Sequence, residues 1–368
     1  MNLPVDQLTK VLNSAQHILV IGPENPSVDV VSTAAAWAIF LLGKKKKVDI
    51  VMAGRVPQLN FLTKKIKIES QIESMGKFKI VVDTSQTKVK QLSYDVKDEF
   101  LEIDLIPKQG SFKSADVKTI NDGYRYDLII CLGVSNLEML GQSFFDHRNF
   151  FDNTIIVNID RSVANENFGQ LNIVESTSTS IAEISHEALH KYLDKNMATA
   201  LLAGMIAATN SFQSPQVTPQ TLELASQLIV RGADRQKVIE SLYRTKDIDT
   251  LKNWGKVLSR LSKSDSIICS FLEHDEQDSL PEDFQELVRD LILATPNTKV
   301  IIIFYQLDFQ TTEVWLYTIN NVNALIISKE LSGQGSKQFT RFTVDKNLSD
   351  SQELVLDKIK KQLQLVSH

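Results

Sequence analysis

The chain has 368 residues, 43% of them hydrophobic and 23% charged, with a formal net charge of −5. That length leaves room for two domains, and the acidic balance excludes a protein that coats nucleic acid through a broadly positive surface, though a local basic groove remains open. The longest apolar run, VVSTAAAWAIFLL, is broken by Ser32 and Thr33 and falls short of the ~20 residues of a membrane span, so no membrane partner is expected.

MNLPVDQLTKVLNSAQ reads as an amphipathic helix carrying Lys and Asp, not as a signal peptide. HILVI (17–21) is the first buried strand, followed by the polar loop GPENPSVD, an apolar helix ending at Gly43 and a second strand, VDIVMA (48–53). The basic run Lys44 to Lys47 suits a helix C-terminus and a solvated turn. Residues of about 76–125 change character: KIVVDTS (79–85), LSYDV (92–96) and FLEIDLI (100–106) alternate in short strands with polar turns and no helix, as a β insertion would. YDLIICLG (126–133) and TIIVNID (154–160) then resume the continuous apolar pattern of strands buried on both faces of a parallel sheet. Cys131 and Cys269 both sit inside apolar runs, as buried thiols of a reducing cytoplasm, the expected location.

From 178 to 245 the spacing is helical in STSIAEISHEALHKYL, ATALLAGMIAAT and TPQTLELASQLIVRGAD, the last opened by Thr218-Pro219. After a polar helical connection a second block holds the strands IICSFLEH, VIIIFYQLD, TEVWLYTIN, ALIISKE and RFTVD. It also holds the helix PEDFQELVRDLILA and a closing helix. The expected architecture is therefore an α/β parallel-sheet domain over 1–245 with the β insertion at about 76–125. A helical linker at 246–264 and an α+β domain of mostly hairpin-linked strands at 265–368 complete it.

Motifs for chemistry are sparse. His186-Glu187-Ala188-Leu189-His190 matches H-E-x-x-H, yet nothing downstream supplies a third zinc ligand, and an amphipathic helix produces the pattern equally well. No nucleophile elbow, Walker A loop or G-x-G-x-x-G run follows any strand. Gly333-Gln334-Gly335-Ser336-Lys337 reads as a flexible turn whose N–H groups could hold a phosphate.

The order of segments resembles the DHH/DHHA1 phosphoesterases, a family that includes single-strand exonucleases and oligoribonucleases. Where that family has a loop His-x-x-Pro-Asp-x-Asp, this chain has Pro23-Glu24-Asn25-Pro26-Ser27-Val28-Asp29, keeping only the last aspartate. The family's second ligand, an Asp ending an apolar strand, corresponds to Gly133. Its Asp-His-His corresponds to Asp160-Arg161-Ser162. N-x-x-F-G-x-x-N is kept in NENFGQLN, whereas a further metal Asp in the GMIAATNSF segment is replaced by Ala208. The Gly-Gly-Gly-His substrate loop corresponds to Gly333-Gln334-Gly335-Ser336.

The resemblance implies a two-metal hydrolase using manganese or magnesium, but a two-ion site needs several carboxylate and imidazole ligands, and Asp29 and Asp160 stand as vestiges. The expectation is a catalytically inactive family member with no metal cofactor. It would bind a nucleotide or short single-stranded nucleic acid between its domains through Arg161, Gly333, Gly335, Ser336, Lys337 and Arg341. Two alternatives stand beside it: a working phosphoesterase with rearranged ligands such as Asp83, Asp160 and His186, and an interaction module whose insertion and second domain bind a protein partner or self-associate.

Overall fold

The computed structural model describes residues 4–54, 56–63, 66–72, 76–244, 248–274, 288, 295–319 and 322–366, and the chain separates into two units, Met1–Thr245 and Lys246–His368. The first unit begins with helix α1 (Val5–Ser14), strand β1 (His17–Ile21), helix α2 (Val28–Gly43) and strand β2 (Lys47–Val51). A short helix α3 (Asn60–Thr63) leads to the two-residue strand β3 (Ile68–Glu69). The insertion follows as β4 (Gly76–Val82), β5 (Val89–Lys97), β6 (Phe100–Pro107) and β7 (Val117–Tyr124). Strand β8 (Leu128–Leu132), the short helices α4 (Gln142–Phe145) and α5 (Arg148–Asn153), β9 (Ile155–Asp160) and β10 (Leu171–Val174) complete the sheet. Four helices close the unit: α6 (Ile181–Leu189), α7 (Lys195–Ala208), α8 (Pro219–Val230) and α9 (Arg235–Tyr243).

The sheet order is β10-β9-β8-β1-β2-β3, and every pairing is parallel. The four strands read from the sequence therefore share one sheet, and because all run the same way the loops after Ile21, Leu132 and Asp160 open at one edge. Alternate residues face opposite layers. Ile18, Val20, Leu128 and Ile130 pack with α2 and α7, while Leu19, Ile129 and Cys131 pack with Tyr126, Phe150 and Phe151. The helical layer is tight because its contacts are small: Ala34, Ala35, Ala36 and Ala38 of α2 are all fully buried. A Cβ on Gly204 of α7 would lie 2.7 Å from an Asp29 carboxylate oxygen and 2.9 Å from the Ala182 Cβ. Trp37 spans this layer and donates its indole N–H to the Ser185 hydroxyl at 3.0 Å. Thr218 caps α8 with Pro219 in its first turn, as the sequence indicates.

The insertion stands apart from that sheet, as two antiparallel ladders, β4 with β7 and β5 with β6.

In the second unit helix α10 (Ile248–Ser259) precedes β11 (Ser262–Ser264), β12 (Ile267–Leu272), β13 (Val300–Asp308) and β14 (Thr311–Thr318). Then come helix α11 (Ala324–Ile327), β15 (Gln334–Gly335), β16 (Phe339–Val344) and helix α12 (Leu348–Val366). The sheet order is β11-β12-β13-β14-β16-β15, antiparallel except for the parallel pair β12–β13. ALIISKE is not a strand. Asn323 accepts from the Leu325 N–H and opens a helical turn that buries Ala324 and Ile327 and exposes Ile326, a spacing of three that a run of four apolar residues cannot reveal. Of PEDFQELVRDLILA only Val288 falls among the described residues. Among those residues no helix is long and apolar enough to cross a membrane.

Candidate functional site

Parallel strands leave their carboxyl ends and the following loops as the natural ligand position. Here that edge holds a cavity of about 730 Å³ lined by Ser27, Asp29, Gly133, Asp160, Arg161 and Ala208, among others. The four positions marked by the sequence comparison of motifs, 29, 133, 160 and 208, thus meet in one place.

Asp29 lies in the first turn of α2, 5% exposed, and reaches across to the start of α6. Its two oxygens accept the Ile181 N–H at 2.7 Å and the Ala182 N–H at 3.1 Å, with the Thr33 hydroxyl at 3.4 Å. Those N–H groups belong to the first turn of a helix and have no intrahelical partner, so the carboxylate satisfies them and sits at the positive end of the helix dipole. Burial nevertheless pushes the Asp29 carboxyl up to about 6, against the opposing pull of the Ile181 and Ala182 N–H groups, the Arg161 charge and Thr33.

Asp160 ends β9, 4% exposed. One oxygen accepts the Arg161 N–H at 2.8 Å and the other the Asn165 side-chain amide at 2.7 Å. Asn165 also donates to the Val134 carbonyl at 3.0 Å, and its own oxygen accepts from Asn158 and from the Asn167 N–H. Asn172 closes the same loop, accepting the Gly169 N–H and donating to the Gly169 and Asn167 carbonyls. The segment NENFGQLN is therefore a self-bonded loop that fixes Asp160.

Gly133 has φ +66°, and a Cβ there would stand 2.7 Å from a methyl of Val30. Glu24 is drawn off toward Gln142, whose N–H it accepts at 3.4 Å, and its own N–H donates to the Met139 carbonyl. Arg161 is the cation at the cavity. Its guanidinium donates to the Ser178 carbonyl at 3.4 Å, and among the described residues no carboxylate forms an ion pair with it.

The other sequence candidates lie elsewhere. Gly333, Gly335, Ser336, Lys337 and Arg341 belong to the second unit, around the β15–β16 hairpin. Gly335 takes φ +146° and a Cβ there would strike the Phe339 carbonyl, as a Cβ on Gly333 would strike the Ser328 hydroxyl, so both glycines have a packing reason. The Ser336 hydroxyl accepts from the Gln338 and Phe339 N–H groups, and Arg341 pairs with Glu313 beside the Trp315 ring. Asp83 is exposed after β4, away from the parallel sheet, accepting the Ser85 N–H. His186 lies on α6 with its ring 6.3 Å from that of His190, its Nδ1 buried without a partner, and burial lowers its pKa. Among the described residues no three His, Cys, Asp or Glu side chains group closely enough to hold a metal ion.

Sequence reading missed Asn165 as the holder of Asp160, and Glu183, which is 5% exposed and accepts both the N–H and hydroxyl of Thr179. Both carried a signal: Asn165 opens the segment NENFGQLN, and Ser180-x-x-Glu183 has capping-box spacing.

No family model matches the chain. It is 23% identical over 217 residues to the bifunctional oligoribonuclease and PAP phosphatase NrnA of Thermus thermophilus, covering 56% of this chain and 64% of that protein. With the Bacillus subtilis protein of the same description it shares 25% identity over 162 residues, 42% of this chain and 50% of the other. The chain thus spans less than two thirds of the length of these curated relatives. Among solved structures, an exopolyphosphatase-related protein from Bacteroides fragilis aligns over 99% of this chain and 97% of that one, with a TM-score of 0.65 and 15% identity, a likeness of fold.

Proposed function

We propose that this chain, which has a DHH-family phosphoesterase fold, is a non-hydrolysing member that binds a nucleotide or short single-stranded nucleic acid at the carboxyl edge of its parallel sheet. The observation that carries the reading is the state of the donors. Every oxygen of Asp29 and Asp160 already accepts from a protein N–H, and Gly133 and Ala208 offer no ligand atom at all. A pair of divalent ions needs several free carboxylate or imidazole donors, so this donor set does not fit manganese or magnesium. What remains is a cavity with an arginine at it, and a guanidinium that makes no ion pair among the described residues is suited to a phosphate without any metal. That relatives are described as an oligoribonuclease and PAP phosphatase supports phosphorylated nucleotides as the ligand class.

The test is a fluorescently labelled short single-stranded RNA titrated with the full chain, with and without manganese. Expected is salt-sensitive binding, no shortening of the strand, and a loss of about tenfold or more in affinity for Arg161→Ala. Manganese-dependent hydrolysis abolished by Asp160→Ala would overturn the non-hydrolysing reading. Absence of binding, or binding indifferent to Arg161→Ala, would overturn the ligand site.

A further inference from the structure

The β5–β6 hairpin has two unlike faces. Cross-strand partners share a face, and the pairs Leu92–Leu105, Tyr94–Ile103 and Val96–Leu101 place six apolar side chains together. The pairs between them, Ser93–Asp104 and Asp95–Glu102, make the middle of the other face polar, with Phe100 and Ile106 only at its two ends. Such a pattern normally marks a face packed on a core. This one is not: Leu92 is 62% exposed, Tyr94 71%, Val96 67% and Leu101 58%. A two-stranded hairpin with an uncovered apolar face is barely stable alone, and contiguous apolar patches of this kind mark interaction sites.

We propose that this face packs against the same face of a second copy of the chain, related by a two-fold axis that runs the two hairpins antiparallel. Three observations select that occupant. The six side chains expose on the order of 600 Å² per copy, so a symmetric pair covers ~1,200 Å², the lower end of what stable interfaces bury. No charged residue belongs to the face, so a like face complements it, as an isologous contact requires. Unpaired charge is instead divided along the hairpin: Asp98 and Glu99 form its tip, where the neighbouring Lys97 is neutralised by Glu102, and Lys88, Lys90 and Lys108 its base, these five all exposed and none in an ion pair among the described residues. Antiparallel packing sets each acidic tip against the other copy's basic base; parallel packing would oppose like charges.

Analytical ultracentrifugation of the full chain tests this. The wild-type chain is expected to sediment at twice its 41.4 kDa at micromolar concentration. Tyr94→Asp with Ile103→Lys, on an exposed hairpin, is expected to sediment as a monomer with an unchanged circular-dichroism spectrum and unchanged RNA affinity. A second pair of variants removes any ambiguity from misfolding. Lys88→Glu/Lys90→Glu and Asp98→Lys/Glu99→Lys should each weaken self-association at least about tenfold, while a mixture of the two should restore a heterodimer. A monomeric wild type, a dimer that survives Tyr94→Asp with Ile103→Lys, or charge variants that fail to complement would each overturn the proposal.

Discussion

Asp29 shows how a carboxylate at the edge of a sheet can be taken up by the backbone of a neighbouring helix. Its oxygens bridge α2 to the first two N–H groups of α6, so it behaves as a helix cap supplied from a distant part of the chain. The aspartate itself was legible in the sequence. Its partner lies 152 residues away, a pairing only the packed helices create, and was not. Because burial raises its pKa from 3.8 to about 6, the folded state holds a proton that the unfolded state has lost between those values. Raising pH through that window therefore favours unfolding, and above it the full penalty, about 3 kcal/mol, persists. Urea midpoints measured from pH 4 to 7 should show the wild type losing stability relative to Asp29→Asn over that range; parallel profiles would refute this account. Gly133 offers a second expectation. Gly133→Asp places a side chain at φ +66° and against Val30, and should cost about 2–3 kcal/mol. Val30→Ala in the same chain should recover part of that cost, and strictly additive losses in the double-mutant cycle would show that the contact is not the cause.

Elements were legible where the hydrophobic period was long and unmixed. β1, β8 and β9 are apolar runs buried on both faces, and α8 announces itself by Thr218-Pro219. They were illegible where a run was short: ALII is helical because Asn323 caps it, and nothing in four apolar residues distinguishes that from a strand. The loop between β9 and β10 is an element in its own right, held by Asn165 and Asn172 rather than by ladder bonds. Asn165→Ala would leave a buried Asp160 oxygen without its donor, a loss of about 2 kcal/mol, and open the loop to proteolysis. Limited digestion followed by mass spectrometry should find new cuts within 161–170; an unchanged digest would mean the loop is held by other contacts.

At the scale of the whole molecule, each unit carries one free, buried cysteine: Cys131 in β8 and Cys269 in β12. Burial pushes the Cys269 thiol up to about 12 and that of Cys131 higher still, so neither is a thiolate near neutrality. Labelling by a thiol reagent at increasing urea should then report the opening of the two units separately; rapid labelling of either in the native chain would contradict the packing. The parallel sheet of the first unit was legible because its strands are uniformly apolar. The exposure of the insertion was not, because its alternation is the same as that of a covered hairpin. That insertion lies in sequence between β3, at one edge of the sheet, and β8, at its centre, and the consequence is one of timing. β1 must pair with β8, and the Asp127 carboxylate clamps the N–H groups of Gln16 and His17, 111 and 110 residues earlier. During synthesis the first strand therefore waits, one edge unfilled, until the ribosome has made the whole insertion and β8 beyond it, and refolding is expected to be slower than for a sheet whose neighbouring strands are close in sequence.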